Sequence, residues 1–147
     1  MPIAHPPRRE PRVLALTRVP RGVCFAVIDP WNVRSSGVCH IARRSEPSAI
    51  RRLIARERPT ALTARDEALL PALRRAITGT GVGIVTGTLP TLPVAVARDL
   101  YPELGRFAPT RALQRAAVRA IAAILHGNIP TRLYASSRQR TVLRPAA

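Results

Sequence analysis

Arginine side chains are the groups in this sequence best suited to bind a ligand. All 24 basic residues are arginine, whereas only eight residues are acidic. Three arginines, Arg111, Arg115 and Arg119, recur at a four-residue spacing that places them on one face of a predicted helix. A guanidinium can hold a phosphate through two parallel hydrogen bonds. The stripe can therefore act as a phosphate track, although stripes of this kind are also the ordinary solvated face of a helix.

The net charge predicts an anionic partner. A formal charge of +16 on 147 residues raises self-repulsion in an isolated domain, and binding to nucleic acid relieves it. Membrane headgroups and an acidic protein are the alternatives that charge alone leaves open.

Other residues whose side chains can bind a ligand or a metal give weaker evidence of function. Trp31 lies in a predicted turn, where its indole can stack on a base or serve as an apolar surface anchor. Cys24 and Cys39 fall in predicted strands and not in a C-x-x-C pair, which indicates neither a zinc site nor a disulfide. The glycines of "TGTGVGIVTG" lack the Gly-Lys-Ser/Thr ending of a phosphate loop.

The chain ends differ in composition from the middle. Residues 1–11 form a basic, Pro-rich arm without the apolar core of a signal peptide, and residues 128–147 form a basic tail. No run reaches the length of a membrane span. We therefore expect one domain over residues 12–127 in a cytoplasmic, nucleoid-associated protein without a membrane partner.

The elements that must position these residues follow a recognisable order. Three apolar stretches, residues 12–17, 22–29 and 36–42, predict a three-strand meander. Ser45 and Pro47 then indicate the start of a helix, and residues 60–64 a fourth strand. Asp66 and Glu67 open a second helix, and residues 82–88 predict a fifth strand. A helix over residues 92–101, a loop from Pro102 and a long helix over residues 110–127 complete the order.

With the interrupted helical region after the fifth strand counted as one element, this β-β-β-α-β-α-β-α order is that of the ribonuclease H-like fold. It predicts an α/β domain with a five-stranded mixed sheet, in which an antiparallel meander is joined by two parallel strands and flanked by helices. The hairpin residues Leu14, Leu16, Phe25 and Val27 should be buried under helices that carry Leu53, Leu73 and Ile121.

The first hairpin resembles that of RuvC-type Holliday-junction resolvases. The family pattern is roughly G-I-D-P-G-S-R-x-T-G-Y-G-V-I, and "ALTRVPRGVCFAVI", residues 15–28, lies over it without a gap. Arg21, Phe25 and the apolar end of the pattern are kept, whereas Thr17 stands at the family's first acidic position.

The resemblance extends to about residue 126, and the other acids of the family are missing too. Arg65 stands at the place of the glutamate that ends the fourth strand, after "RPTALTA". Ala116 and Arg119 stand at the two acidic places of the D-x-x-D-A-L motif in the final helix. If the register holds, Thr17, Arg65 and one of Ala116 or Arg119 should meet at one end of the sheet.

The missing acids decide what chemistry the resemblance implies. Such nucleases hydrolyse phosphodiesters with two Mg²⁺ or Mn²⁺ ions held by carboxylates about 4 Å apart. Threonine is a weak ligand, alanine is none, and arginine repels the ion. The resemblance therefore implies a catalytically inactive relative without a cofactor, in which Arg65 or Arg119 contacts the phosphate instead.

An active nuclease with a shifted register is the main alternative. Five carboxylates lie outside the arm and the first helix: Asp29, Asp66, Glu67, Asp99 and Glu103. Asp29, Asp66 or Asp99 would then supply ligands for Mg²⁺ or Mn²⁺. Asp66 is the best fallback because it adjoins the expected glutamate position, and its competing role is that of a helix N-cap.

We therefore expect an inactive RuvC-like domain that binds nucleic acid, DNA rather than RNA, with branched or duplex DNA favoured. The residues expected to contact nucleic acid are Arg18, Arg21, Trp31, Arg65, Arg111, Arg115 and Arg119. A homodimer is implied by the resemblance alone. A third interpretation is a basic interaction subunit of a larger nucleoprotein assembly.

Overall fold

Five strands form one mixed sheet within residues 10–86 and 88–127, the part of the chain that the computed structural model describes. They are β1 (Val13–Val19), β2 (Gly22–Ile28), β3 (Val33–His40), β4 (Ala61–Ala64) and β5 (Gly83–Val85). The sheet order is β3-β2-β1-β4-β5. β2 pairs antiparallel with both β1 and β3, whereas β4 pairs parallel with both β1 and β5. The predicted ribonuclease H-like α/β fold class is confirmed.

Five α-helices cover the two faces of this sheet in the same part of the chain. They are α1 (Glu46–Glu57), α2 (Leu70–Ile77), α3 (Val94–Leu100), α4 (Leu104–Phe107) and α5 (Arg111–His126). The residues of α1 and α2 pack together on one face, and those of α3, α4 and α5 pack on the other. The short α4 lies in the stretch after Pro102 that the sequence predicts as a loop.

Alternation along β1 distributes its side chains between two cores, because successive residues of a strand point to opposite faces. Leu14 and Leu16 are fully buried against Leu53 and the rest of the α1 and α2 side. Val13 and Ala15 are fully buried against the α5 side. The four hairpin residues expected in the core are indeed buried.

The expectation about what covers these residues needs one correction. Ile121 was expected to cover Leu14, Leu16, Phe25 and Val27, but it lies in the other core, with Ala26 and Ile28. Burial of a sheet on both faces produces near-continuous apolar strands, so the sequence does not reveal which helix covers which face.

The helix starts differ in how they are capped. Thr110 caps α5, because its Oγ1 accepts a hydrogen bond from the Leu113 backbone N–H at 3.3 Å. Ser45 precedes α1 as predicted, but its side chain makes no capping hydrogen bond. The predicted second helix begins as a 3₁₀ turn over Glu67–Leu69 before α2, and Asp66 makes no capping hydrogen bond either.

Gly22 opens β2 where two backbones approach closely. A Cβ at this position would lie 1.8 Å from the backbone oxygen of Cys39 on β3. Any larger residue would therefore force the hairpin away from its neighbour.

The chain ends mostly lie outside the described residues. Of the predicted arm, only residues 10 and 11 are described, and none of the predicted tail over 128–147 is. Within the described ranges, no helix has the length and apolar character needed to cross a membrane.

Candidate functional site

The parallel pairing of β1 with β4 brings two of the sequence-predicted positions together. Leu16 is the register partner of Ala64, the last residue of β4. Thr17 and Arg65 each follow that pair by one residue, so they are neighbours at the point where the parallel pairing of the two strands ends. In a parallel pair, residues in register point to the same face, and here that face is the one covered by α5.

Helix α5 adds Arg119 to this end of the sheet. Its Nε donates a hydrogen bond to Thr63 Oγ1 at 3.0 Å, and the Thr63 hydroxyl in turn donates to the Val85 carbonyl at 3.0 Å. Burial lowers the pKa of the Arg119 guanidinium from its ordinary value. An arginine remains cationic at neutral pH even after such a shift, so Arg119 places a fixed positive charge against the sheet.

Ala116 serves packing instead of chemistry. Its side chain is fully buried in the core that α5 forms against β1 and β2. Of the two positions from the final helix, Arg119 lines a cavity together with Arg65, whereas Ala116 is enclosed in the core.

A cavity of about 270 Å³ opens between α5 and the segment that precedes α3. We call it the α5 cavity; its lining residues are Arg65, Leu89, Pro90, Thr91, Leu92, Arg115, Val118, Arg119 and Ala122. Three of these residues are arginines and none is acidic. The side chains of Arg65 and Arg115 are exposed, whereas Arg119 is half-buried, so the cavity has one fixed cation and two that can adjust to a ligand.

The donor set here does not fit the two metal ions of the resolvase family. Thr17 Oγ1 is buried and has no hydrogen-bond partner among the described residues, but it is a single neutral oxygen. The neighbouring positions carry the guanidiniums of Arg65 and Arg119, which repel a divalent cation. In the described ranges, no three His, Cys, Asp or Glu side chains lie close enough together to hold an ion.

The carboxylates that the alternative interpretation needs as metal ligands lie far apart, and most of them accept backbone hydrogen bonds. Asp66 Oδ2 accepts the backbone N–H of Arg18 at 2.9 Å, which ties the end of β1 to the end of β4. Its position before the 3₁₀ turn is that of an N-cap, yet its carboxylate serves this link between strands.

Asp29 lies at the opposite end of the sheet from Asp66, because β2 runs antiparallel to β1. Its Oδ1 accepts the backbone N–H groups of Trp31 and Asn32 at 2.8 and 2.6 Å, which fixes the turn before β3. Glu103 Oε1 accepts the N–H of Val33, whereas Asp99 lies exposed on α3.

The remaining residues expected to contact nucleic acid do not all lie at this site. Arg18 points to the α1 side, where it pairs with Glu46, and Trp31 lies in the turn at the far end of the sheet. Arg21 is exposed in the β1–β2 turn, at the same end of the sheet as Arg65. Arg111 is exposed at the start of α5, one turn before Arg115, and does not line the α5 cavity.

Sequence reasoning missed Thr63 and Glu46. Thr63 is fully buried within "TALTA" and holds Arg119 in place. A polar residue in an otherwise apolar strand was the available signal, because a buried hydroxyl needs a partner. Glu46 is 3% exposed and binds Arg18 through both carboxylate oxygens, a pairing that no local pattern indicates.

No protein-family model and no curated protein matches this chain. Among solved structures, it is similar to that of Thermus thermophilus RuvC, with a TM-score of 0.49 and 11% identity over 76% of this chain and 92% of that one. The structure of T. thermophilus RuvC in complex with Holliday junction substrate gives a TM-score of 0.49 and 12% identity, over 76% of this chain and 91% of that one. The fold class stated above follows from this chain's own strand order and strand directions.

Proposed function

We propose that this domain binds the phosphate backbone of nucleic acid in the α5 cavity and does not hydrolyse it. The observation that carries this proposal is the lining of one cavity by Arg65, Arg115 and Arg119 without any carboxylate. Phosphate is the ligand that several convergent guanidiniums fit best, because each can bind two of its oxygens.

The three arginines would contact the phosphate backbone in different ways. The hydrogen bond from Arg119 to Thr63 fixes the position of the guanidinium, so little conformational entropy is lost when a phosphate binds beside it. Arg65 and Arg115 are exposed and can follow the backbone to neighbouring phosphates. Each phosphate that an arginine neutralises releases counterions, which makes the affinity depend steeply on salt.

The absence of hydrolysis is proposed from the residues at the end of the sheet. A two-metal reaction needs several anionic oxygens around each ion to activate water and to neutralise the leaving group. Thr17 supplies one neutral oxygen, and Arg65 and Arg119 supply positive charge, so a bound phosphate would be oriented without being attacked.

The preference for duplex or branched DNA over RNA, and the homodimer, rest only on the sequence resemblance, which is strong only in the first hairpin. A basic subunit that docks on a larger nucleoprotein assembly would need the same net charge but not a converging set of cavity arginines. The experiment below separates these two functions.

Fluorescence anisotropy with a labelled duplex and a labelled four-way junction tests the proposal, using protein freed of co-purified nucleic acid. Affinity should fall by roughly a thousandfold or more between 50 and 200 mM salt if six or more phosphates are contacted. The double variant R65A/R115A should bind about 10 to 100 times more weakly than R52A/R98A. This control also loses two charges, but from exposed positions outside the cavity.

Equal weakening in the two double variants would reject the α5 cavity as the binding site. Binding of the parent that is insensitive to salt would point to a protein partner. Incubation of the junction with the parent protein in Mg²⁺ or Mn²⁺ completes the test, since cleavage would overturn the proposal that the domain lacks nuclease activity.

A further inference from the structure

A second basic cavity lies on the opposite face of the sheet. It measures about 380 Å³ and is formed by the turn before α1, the first residues of α1 and the start of α2. We call it the α1–α2 cavity; its lining residues are Arg18, Arg43, Arg44, Glu46, Pro47, Ala68, Pro71, Ala72 and Arg75.

One of the four arginines in this cavity is already neutralised. Arg18 donates to Glu46 from Nε at 3.1 Å and from a terminal nitrogen at 2.7 Å, and the Glu46 side chain is 4% exposed. Both residues of this pair line the cavity. The hydrogen bond to Glu46 raises the pKa of Arg18, so Arg18 keeps its positive charge.

The other three arginines leave an uncompensated charge of about three units around the opening. Arg43, Arg44 and Arg75 are exposed, and the described residues provide none of their guanidiniums with a hydrogen-bond or ion-pair partner. Pro47 and Pro71 lie in the first turns of α1 and α2, where their fixed backbone angles keep the walls rigid. The cavity is thus a preformed cationic site, because its one acidic residue, Glu46, is already paired with Arg18.

The two cavities share one end of the sheet. Thr17 and Arg18 are consecutive residues of β1 that point to opposite faces, and Arg65 and Asp66 are consecutive residues after β4. Arg65 lines the α5 cavity, whereas Arg18 lines the α1–α2 cavity, and the Asp66 carboxylate accepts the Arg18 backbone N–H between them. The ends of β1 and β4 therefore separate two arginine-lined sites.

We propose that the α1–α2 cavity binds a second segment of nucleic-acid backbone, so that one chain holds two segments at once. This inference rests on the proposed function of the α5 cavity. The same side-chain type lines both cavities, and guanidiniums on separate walls fit successive phosphates of a strand. A volume of about 380 Å³ also far exceeds the roughly 30 Å³ that a water molecule occupies in the liquid, which leaves room for more than a single small anion.

Stoichiometry per chain tests this inference directly. Native mass spectrometry of the full chain with a short duplex, at low salt, counts the duplexes bound per polypeptide whatever the oligomeric state. We expect two duplexes per chain for the parent and one for R43A/R44A/R75A. The control R52A/R98A/R106A removes the same number of charges from exposed positions outside both cavities and should keep two. The α5 variant R65A/R115A should bind one.

The possible outcomes distinguish the two proposals. One duplex per parent chain, lost in R65A/R115A and unchanged in R43A/R44A/R75A, would overturn the second site and leave the proposed function standing. No duplex bound by the parent would overturn both. Calorimetry with inorganic phosphate completes the test. If R43A/R44A/R75A no longer binds phosphate but binds as many duplexes as the parent, the cavity is a site for a free anion. That result would reject binding of a backbone segment.

Discussion

Arg119 on α5 donates its Nε–H to the hydroxyl of Thr63 on β4 at 3.0 Å, which joins a helix and a buried strand at the candidate phosphate site. Thr63 is fully buried, and its own hydroxyl hydrogen is used by the Val85 carbonyl. The position of the guanidinium is therefore determined by the sheet as well as by the helix.

Replacing Thr63 tests whether this contact positions Arg119. Thr63→Val removes the acceptor and leaves a partly buried Nε–H and the Val85 carbonyl without this partner, which should lower stability by about 1–3 kcal/mol. DNA affinity should fall about threefold to tenfold in anisotropy measurements at constant salt. Thr63→Ser restores the hydroxyl and should recover most of the affinity. Equal affinities of the valine and serine variants would show that Arg119 needs no such support.

Thr17→Val tests the unpaired hydroxyl at the end of β1. The buried Thr17 Oγ1 has no hydrogen-bond partner in the described part of the chain, and an unsatisfied buried polar group costs about 1–3 kcal/mol. The valine variant should therefore be more stable, by roughly 1 kcal/mol, in urea denaturation monitored by circular dichroism. A loss of stability would mean that the hydroxyl has a partner in solution.

Restoring acids at the family positions should create a response to metal. The triple variant T17D/R65E/R119D places three carboxylates at the ends of β1 and β4 and on α5, and it leaves the fully buried Ala116 in place. Without metal, the crowded like charges should destabilise the domain. With 1 mM Mn²⁺ and a Kd of about 10–100 µM, binding would return about 1.4–2.7 kcal/mol.

Thermal denaturation with and without Mn²⁺ measures this effect. The melting temperature of the triple variant should rise by roughly 5–10 °C with Mn²⁺, and that of the parent should not change. A parent that Mn²⁺ stabilises to the same extent would contradict the conclusion that its donor set does not fit the ions.

Because Arg18 and Glu46 form an ion pair, we expect the stability changes of the two single variants not to add up in the double variant. Glu46→Ala leaves Arg18 without its buried partner and should cost about 2–3 kcal/mol, less than for a fully buried pair because 22% of the Arg18 side chain is exposed. R18M/E46L removes both charges and should be less destabilised than the two single changes summed. Urea denaturation of R18M, E46L and the double variant measures the coupling; simple additivity would mean that the pair contributes little.

Glu57 should make stability decrease in acid. Burial by itself raises the pKa of Glu57, but hydrogen bonds from Ser35 and Arg56 and the charges of Arg56 and Arg12 outweigh it and lower the pKa below its ordinary value. The ionised form therefore stabilises the folded state above the ordinary pKa, and this contribution is lost as the pH falls through the lower folded-state pKa.

Glu57→Gln cannot ionise, so it should lose less stability than the parent between pH 7 and about pH 3. Urea denaturation at a series of pH values measures the difference in slope. Parallel pH profiles for the two proteins would show that Glu57 ionises equally in the folded and unfolded states.

The order of elements was predictable because it depends on local patterns. Alternating apolar residues, turn residues and helix starts such as Pro47 are short-range signals, and they predicted all five strands. The ends of the strands were predicted less accurately than their order. For example, residues 82–88 were predicted as the fifth strand, whereas β5 spans Gly83–Val85. A three-residue edge strand is determined by its pairing with β4, which a sequence window does not contain.

The side chains available to the site follow from the amino-acid sequence alone, which has 24 arginines and eight acidic residues. The order of the predicted elements also allows Thr17, Arg65 and Arg119 to meet at one end of the sheet. The roles of these side chains depend on contacts between distant parts of the chain. Parallel pairing of β1 with β4 placed Thr17 beside Arg65, and packing of α5 buried Ala116 while holding Arg119 on Thr63. Alternation along β1 turned Arg18 to the other face, towards Glu46. Each of these outcomes joins residues at least 28 positions apart, and such contacts depend on the folded chain as a whole and not on any local pattern.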